Sequence, residues 1–139
     1  MEERQERAIA LHNKGYNCAQ AVACTYCDLF GLDEETAYKM AEGFGLGMGM
    51  MEVCGALTGG FLLAGCRLSA GTAAPGRTKA QTYRKTRAMG EEFAAKHGTI
   101  LCRELKGVET GKVLLPCPDC IREGCALVEK MLLEETMES

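Results

Sequence analysis

Nine cysteines stand in this chain, at positions 18, 24, 27, 54, 66, 102, 117, 120 and 125. An odd number this large points away from a paired disulfide scaffold. Where thiols stay reduced, it points to metal or redox chemistry. Two Cys-x2-Cys pairs are visible, Cys24/Cys27 and Cys117/Cys120. They lie much farther apart than the two halves of a zinc ribbon. Cys117-Pro118-Asp119-Cys120 has the form of a dithiol at a helix start, where the dipole lowers a thiol pKa. The βαβ context of a thioredoxin is missing, so an extra metal ligand, a local disulfide and spare thiols all stay open. For Cys24, Cys27 and Cys66 the simplest reading is a semi-buried thiol without a role.

The elements that must position these thiols read as helices. Ten of the 17 glycines fall between Gly43 and Gly76. Within that stretch Leu57, Phe61, Ala64 and Leu68 recur three or four residues apart, the period of a helix face. At about 100° per residue, Cys54 falls in that face and Cys66 well away from it. Glycines 55, 59, 60 and 65 each cost about 1 kcal/mol in a helix, so close approach of a neighbouring helix or a bound group is expected there. A buried central helix carrying one thiol inward is the result.

Upstream, residues 2 to 13 form a polar helix with a thin stripe through Ala8, Ile9 and Leu11, ended by Gly15. Asn17 caps a second helix over Cys18–Phe30, with Cys18, Val22, Tyr26 and Leu29 on one face and Gly31 as its stop. Cys24 and Cys27 lie on the opposite side from Cys18. Asp33 caps a short third helix whose first turn holds Glu34 and Glu35. The alternating glycines 43 to 49 match no dinucleotide fingerprint and read as a turn-rich loop. Met48, Met50 and Met51 are core filler in preference to a copper site.

Downstream, a long helix runs from about Arg77 to Lys96, with no acidic residue from Ser69 to Gly90. A solvated basic face is the simpler account of it, an anionic partner the other. His97 precedes Gly98 and serves a helix end; His12 reads as a surface residue, and neither has metal-ligand spacing to a cysteine. Thr99 caps a turn from Ile100 to Leu105 that carries Cys102. After a loop over 106 to 116, a last helix from Pro118 to about Glu135 presents Ile121, Cys125, Val128 and Leu132.

Apolar residues make up 47% and charged residues 25% of the chain, ordinary values for a globular protein. The length of 139 residues suits one domain, 1–139, and the expected class is an all-α bundle of about five or six helices. A net charge of −3 argues against nucleic acid as a partner. No apolar run reaches a membrane span, and Met1 to Arg7 is too charged for a signal peptide. The expected location is therefore cytoplasmic.

Three helices each place one cysteine in an apolar stripe, Cys18, Cys54 and Cys125, and Cys102 sits in a capped turn between apolar neighbours. One buried cysteine is commonly packing. Four in four elements of one bundle are the ligand set of an iron–sulfur cluster or a structural zinc. The segments Asn17-Cys18-Ala19-Gln20-Ala21-Val22, Gly43 to Gly49, Cys54-Gly55-Ala56-Leu57-Thr58-Gly59, Cys102-Arg103-Glu104-Leu105 and Cys125-Ala126-Leu127-Val128 together carry a family resemblance. Over roughly residues 8 to 133 the chain resembles the redox-active family named for its C…GCAxxG…C…C pattern. The pattern's four cysteines map onto Cys18, Cys54, Cys102 and Cys125, and the resemblance implies redox activity. Two departures stand out: the order here is Cys54-Gly55-Ala56, and five cysteines are surplus to the pattern.

Three functions compete. The first is electron transfer by an iron–sulfur cluster on Cys18, Cys54, Cys102 and Cys125, working with a redox partner protein. The second is thiol–disulfide exchange, with Cys117 and Cys120 resolving. The third is a non-catalytic, zinc-stapled interaction domain, in which a homo-oligomer is conceivable. No Ser-His-Asp set, P-loop, HExxH or carboxylate pair supports a hydrolase or kinase.

Overall fold

The computed structural model describes residues 2–134. It is all-α, and its elements follow the apolar stripes and caps: α1 (Glu2–Lys14), α2 (Cys18–Tyr26), α3 (Glu34–Ala41), α4 (Gly55–Leu68), α5 (Lys79–His97), α6 (Cys102–Lys106) and α7 (Cys117–Leu127). The count of seven exceeds the expected five or six because the capped turn at Cys102 closes as one short helix, α6. Among the described residues the only extended pairing is an isolated antiparallel bridge between Val53 and Leu101. The expected end of the last helix, Glu135, lies outside the described residues. No helix among them is long and apolar enough to cross a membrane.

Caps set the boundaries. Asn17 Oδ1 accepts the Gln20 N–H at 2.8 Å while Gln20 Oε1 accepts the Asn17 N–H at 2.9 Å. This reciprocal box makes Cys18 the first residue of α2. Asp33 accepts the Thr36 N–H at 2.9 Å and starts α3 as expected. α2 tightens into a 3-10 turn at Cys27–Phe30 and stops at Gly31, whose φ is 77°. Beyond α7 the chain continues as a wider π turn over Val128–Glu134.

α2 and α4 form the centre of the packing, with α7 laid across both and against α1. α4 is buried along Leu57, Leu63 and Ala64, all fully covered; each such leucine contributes about 2 kcal/mol. The α2–α4 contact depends on missing side chains. A Cβ on Gly59 would stand 2.5 Å from the Ala19 carbonyl oxygen, and one on Gly55 would stand 3.1 Å from the Cys18 Cβ. The stripe of α7 and its extension, Ile121, Cys125, Val128 and Leu132, is wholly buried in the same core.

Candidate functional site

The cysteines do not gather on the bundle axis. They gather at one end, where helices begin. Cys18 opens α2, Cys54 is the residue immediately before α4, Cys102 opens α6 and Cys117 opens α7. Cys120 follows one turn later on the same face as Cys117. These five thiols line one cavity of about 120 Å³ together with His12, Asn17, Leu46, Gly55, Leu105, Lys106 and Leu115.

Each thiol is held by backbone. Residues 52–54 run antiparallel to 100–102: the Cys54 N–H donates to the Ile100 carbonyl at 2.8 Å and the Cys102 N–H to the Glu52 carbonyl at 2.6 Å. An ion pair between Arg103 and Glu52 at 2.9 Å closes the same junction. Cys54 and Cys102 are thereby fixed diagonally across this short pairing, both buried. Opposite them, the loop after α6 folds back, with Leu114 and Leu115 donating to the Leu105 carbonyl at 3.0 and 3.2 Å. That return delivers Pro116 and the start of α7 to the cavity. Pro118 in the first turn has no N–H to leave unsatisfied. Asn17 Nδ2 donates to the Glu42 carbonyl at 3.0 Å, tying the Cys18 cap to the turn before Leu46.

The approach to the cavity is strained. Leu46, Met48 and Met51 take left-handed backbone, with φ of 52°, 60° and 56°. Non-glycine residues in this region cost of order 1 kcal/mol or more each and cluster near functional sites. The expected glycine-rich loop is thus a kinked turn over Gly47–Met51, and Leu46 next to it is 47% exposed while lining the cavity.

Within the cavity the thiols pair. Cys18 donates a hydrogen bond to Cys117, which lowers the Cys117 pKa to about 6 against the opposing effect of burial; Lys106 and His12 add to the lowering. The donor, Cys18, is correspondingly raised. The Cys120 thiol lies 3.6 Å from the Leu115 carbonyl oxygen, to which it donates. Cys54 is lowered by the neighbouring Cys120 thiol and by the N–H groups of Ala56 and Leu57 at the start of α4, while Cys120 is raised by Cys54 and by burial. Cys102 is raised by burial, with Lys106 opposing it. Cys117 and Cys54 are therefore the two of the five sulfurs whose ionisation their surroundings favour. The starts of α2, α4 and α7 add positive dipole ends to the same space.

A test follows from the Cys117 shift. In reduced, metal-free protein, alkylation of Cys117 by iodoacetamide should be half-maximal near pH 6, because the thiolate persists above that value and protonates below it. Exposed Cys66, raised by partial burial, should gain reactivity only at higher pH than Cys117. Peptide mass spectrometry across pH 5–9 reads both. A Cys117 midpoint above 8 would mean that the Cys18 hydrogen bond does not form.

Of the four cysteines singled out by the stripes, the structure brings Cys18, Cys54 and Cys102 to this cavity. Cys125 is not among its lining residues. Cys125 is five residues beyond Cys120, about 140° around the helix, and faces α2. There the Tyr26 hydroxyl lies 3.5 Å from the Cys125 carbonyl oxygen and donates to Glu129. Burial pushes the Cys125 thiol up to about 12. Cys24 and Cys27 also lie outside, packed around Ala37, with the Cys24 thiol 3.8 Å from the Glu34 carbonyl oxygen and the Cys27 thiol 3.3 Å from that of Cys24.

Cys54 differs in one respect from expectation: it caps α4 instead of riding in its stripe. The Cys-Pro-Asp-Cys helix start was the available signal for Cys117 and Cys120. His12 was read as a surface residue, yet a ring nitrogen of it lies within 4.8 Å of both the Cys18 and Cys117 sulfurs. Nothing in its sequence spacing marks that approach, which only the packing of α1 on α7 creates.

No match was found among the curated proteins or among solved structures. The family model described as "Putative redox-active protein (C_GCAxxG_C_C)" matches residues 16–131. That span runs from the residue before the Asn17 cap to beyond α7, and so contains all five clustered thiols. The chain belongs to this redox-active family.

Proposed function

We propose that the cavity holds an iron–sulfur cluster and that the protein exchanges single electrons with a redox partner protein. One observation carries this reading: five thiols, Cys18, Cys54, Cys102, Cys117 and Cys120, line a single cavity. A cluster takes four ligands, usually thiolates, and five thiols are available. Soft sulfur donors at partly buried positions suit iron–sulfur or zinc centres; membership of a redox-active family favours the former. When bound, such a cluster supplies one-electron redox chemistry at a partly buried site. The chain's own contribution is to orient the sulfurs from helix starts and to direct the Ala56 and Leu57 N–H groups at Cys54. Lys106 offsets negative charge. A reducing, cytoplasmic setting would keep the thiols available.

Purification without oxygen tests this directly. The expected protein is coloured, contains iron and acid-labile sulfide in similar amounts, and bleaches on reduction with a one-electron titration curve. Colourless protein without iron would overturn the reading.

A second reading, thiol–disulfide exchange, is favoured by the low pKa of Cys117 beside Cys18. In it these two thiols lose two electrons and two protons to the disulfide of an oxidised partner. Its signature is a two-electron titration in metal-free protein and a Cys18–Cys117 disulfide in the oxidised form.

A further inference from the structure

His12 occupies the last turn of α1, on the wall of the thiol cavity. One ring nitrogen and the sulfurs of Cys18 and Cys117 all lie within 4.8 Å of one another. Two ligands of a tetrahedral ion, bound at about 2.0–2.3 Å, stand about 3.5–3.8 Å apart for this nitrogen and sulfur set. The three donors therefore need only a small inward movement to share a metal. The orientation of the ring fits as well. Its Nδ1 is 2.9 Å from the Tyr16 carbonyl oxygen. A carbonyl only accepts, so Nδ1 carries a proton, and the tautomer this selects for a metal-binding ring has its lone pair on Nε2. Metal-bound imidazoles are held in this way, one nitrogen oriented by a backbone oxygen and the other free to ligate. Gly15 and Tyr16 form the turn that joins α1 to the Asn17 cap, and the Tyr16 N–H returns to the Leu11 carbonyl at 3.1 Å. The contact to His12 is thus made by the same backbone that leads into Cys18.

We propose that His12 supplies a nitrogen ligand to the metal centre, making its ligand set mixed instead of all-thiolate. The inference rests on the reading that the cavity holds a metal. Its chemical consequence is a lopsided centre: of four ligands His12 replaces one thiolate, so the end of the cavity near His12, Cys18 and Cys117 differs from that near Cys54 and Cys120. A neutral imidazole in place of a thiolate removes one negative charge, which raises the reduction potential.

Two measurements test this. In protein reconstituted with iron and sulfide and labelled with ¹⁵N-histidine, pulsed paramagnetic resonance of the reduced state should show a strongly coupled nitrogen that vanishes in His12→Ala. His12→Cys should restore full iron content at a lower potential than wild type. Separately, metal-free protein is titrated with cobalt(II) as a probe. Wild type should bind with sulfur-to-cobalt charge-transfer bands, and His12→Ala should bind at least tenfold more weakly with an altered visible spectrum, while Cys66→Ser should match wild type. Circular dichroism confirms that each variant is folded. If no iron binds, the cluster reading fails while the cobalt comparison still decides the role of His12. A cluster without coupled nitrogen, equal cobalt affinities for wild type and His12→Ala, or no cobalt binding by wild type would overturn the proposal.

Discussion

Cys120→Ser should strip the protein of iron when it is purified without oxygen, whereas Cys125→Ser should retain the wild-type content. Cys120 lines the cavity together with Cys54, and a serine hydroxyl at that position is neither ionised nor soft. Outer-shell changes at metal sites already cost about 10–100-fold, so loss of a direct ligand should lower iron occupancy at least that far. Cys54→Ser should behave like Cys120→Ser, and Cys66→Ser like wild type, since Cys66 is exposed at the far end of α4. Cys125→Ser should show a different defect. The site is fully buried against Tyr26, and a hydroxyl there costs about 1–3 kcal/mol if it finds no partner. Its melting temperature should fall while its metal stays. Iron analysis and thermal denaturation of the four variants separate the cases. The reverse pattern, iron lost with Cys125 and kept with Cys120, would assign the ligands to Cys18, Cys54, Cys102 and Cys125 and sink the cavity reading.

Gly59→Ala and Gly65→Ala should move stability in opposite directions although both lie in α4. Alanine gains about 1 kcal/mol over glycine within a helix, and at Gly65 nothing lies within 4 Å of the new methyl group. That variant should melt about 4 °C higher, close to 4 °C for each kcal/mol in a chain of this size. At Gly59 the methyl would meet backbone, the Ala19 carbonyl oxygen at 2.5 Å, which cannot rotate away. Overpacking costs about 1–3 kcal/mol, occasionally more. Here it must part α2 from α4, so a net loss of about 2 kcal/mol and a fall of about 8 °C are expected. Calorimetry decides it. An unchanged or higher melting temperature for Gly59→Ala would mean that the two helices are not in backbone contact.

Periodicity and caps made the helices legible in the sequence because both are local. Asn17, Asp33, Gly31 and Gly98 each mark an end by the conformation or hydrogen bond that their type favours. The close α2–α4 packing was legible too, through glycines whose helical cost needed a reason; Gly55 and Gly59 have one, and Gly65 does not. The site was only half legible, for a physical reason. A helical wheel finds residues that face the core, and Cys125 does face it. The thiol cavity sits instead at the ends of helices, where angular position on a wheel says little. Cys54 reached it as a cap, and Cys117 and Cys120 reached it through a helix start. His12 needed tertiary packing between the first and last helices, which no local pattern encodes.

The junction of residues 52–54 with 100–102 has a bearing on how the protein is assembled. Those few backbone bonds couple two segments nearly fifty residues apart, and α7 then has to close over them. During synthesis the N-terminal part emerges first. Cys18 and Cys54 are exposed to the cell before Cys102 exists, and Cys117 and Cys120 arrive last. The complete donor set therefore appears only with the final docking of α7 against α1, α2 and α4. Loading of the proposed centre would then be a late event in maturation, and a chain holding metal there would by that fact have finished folding.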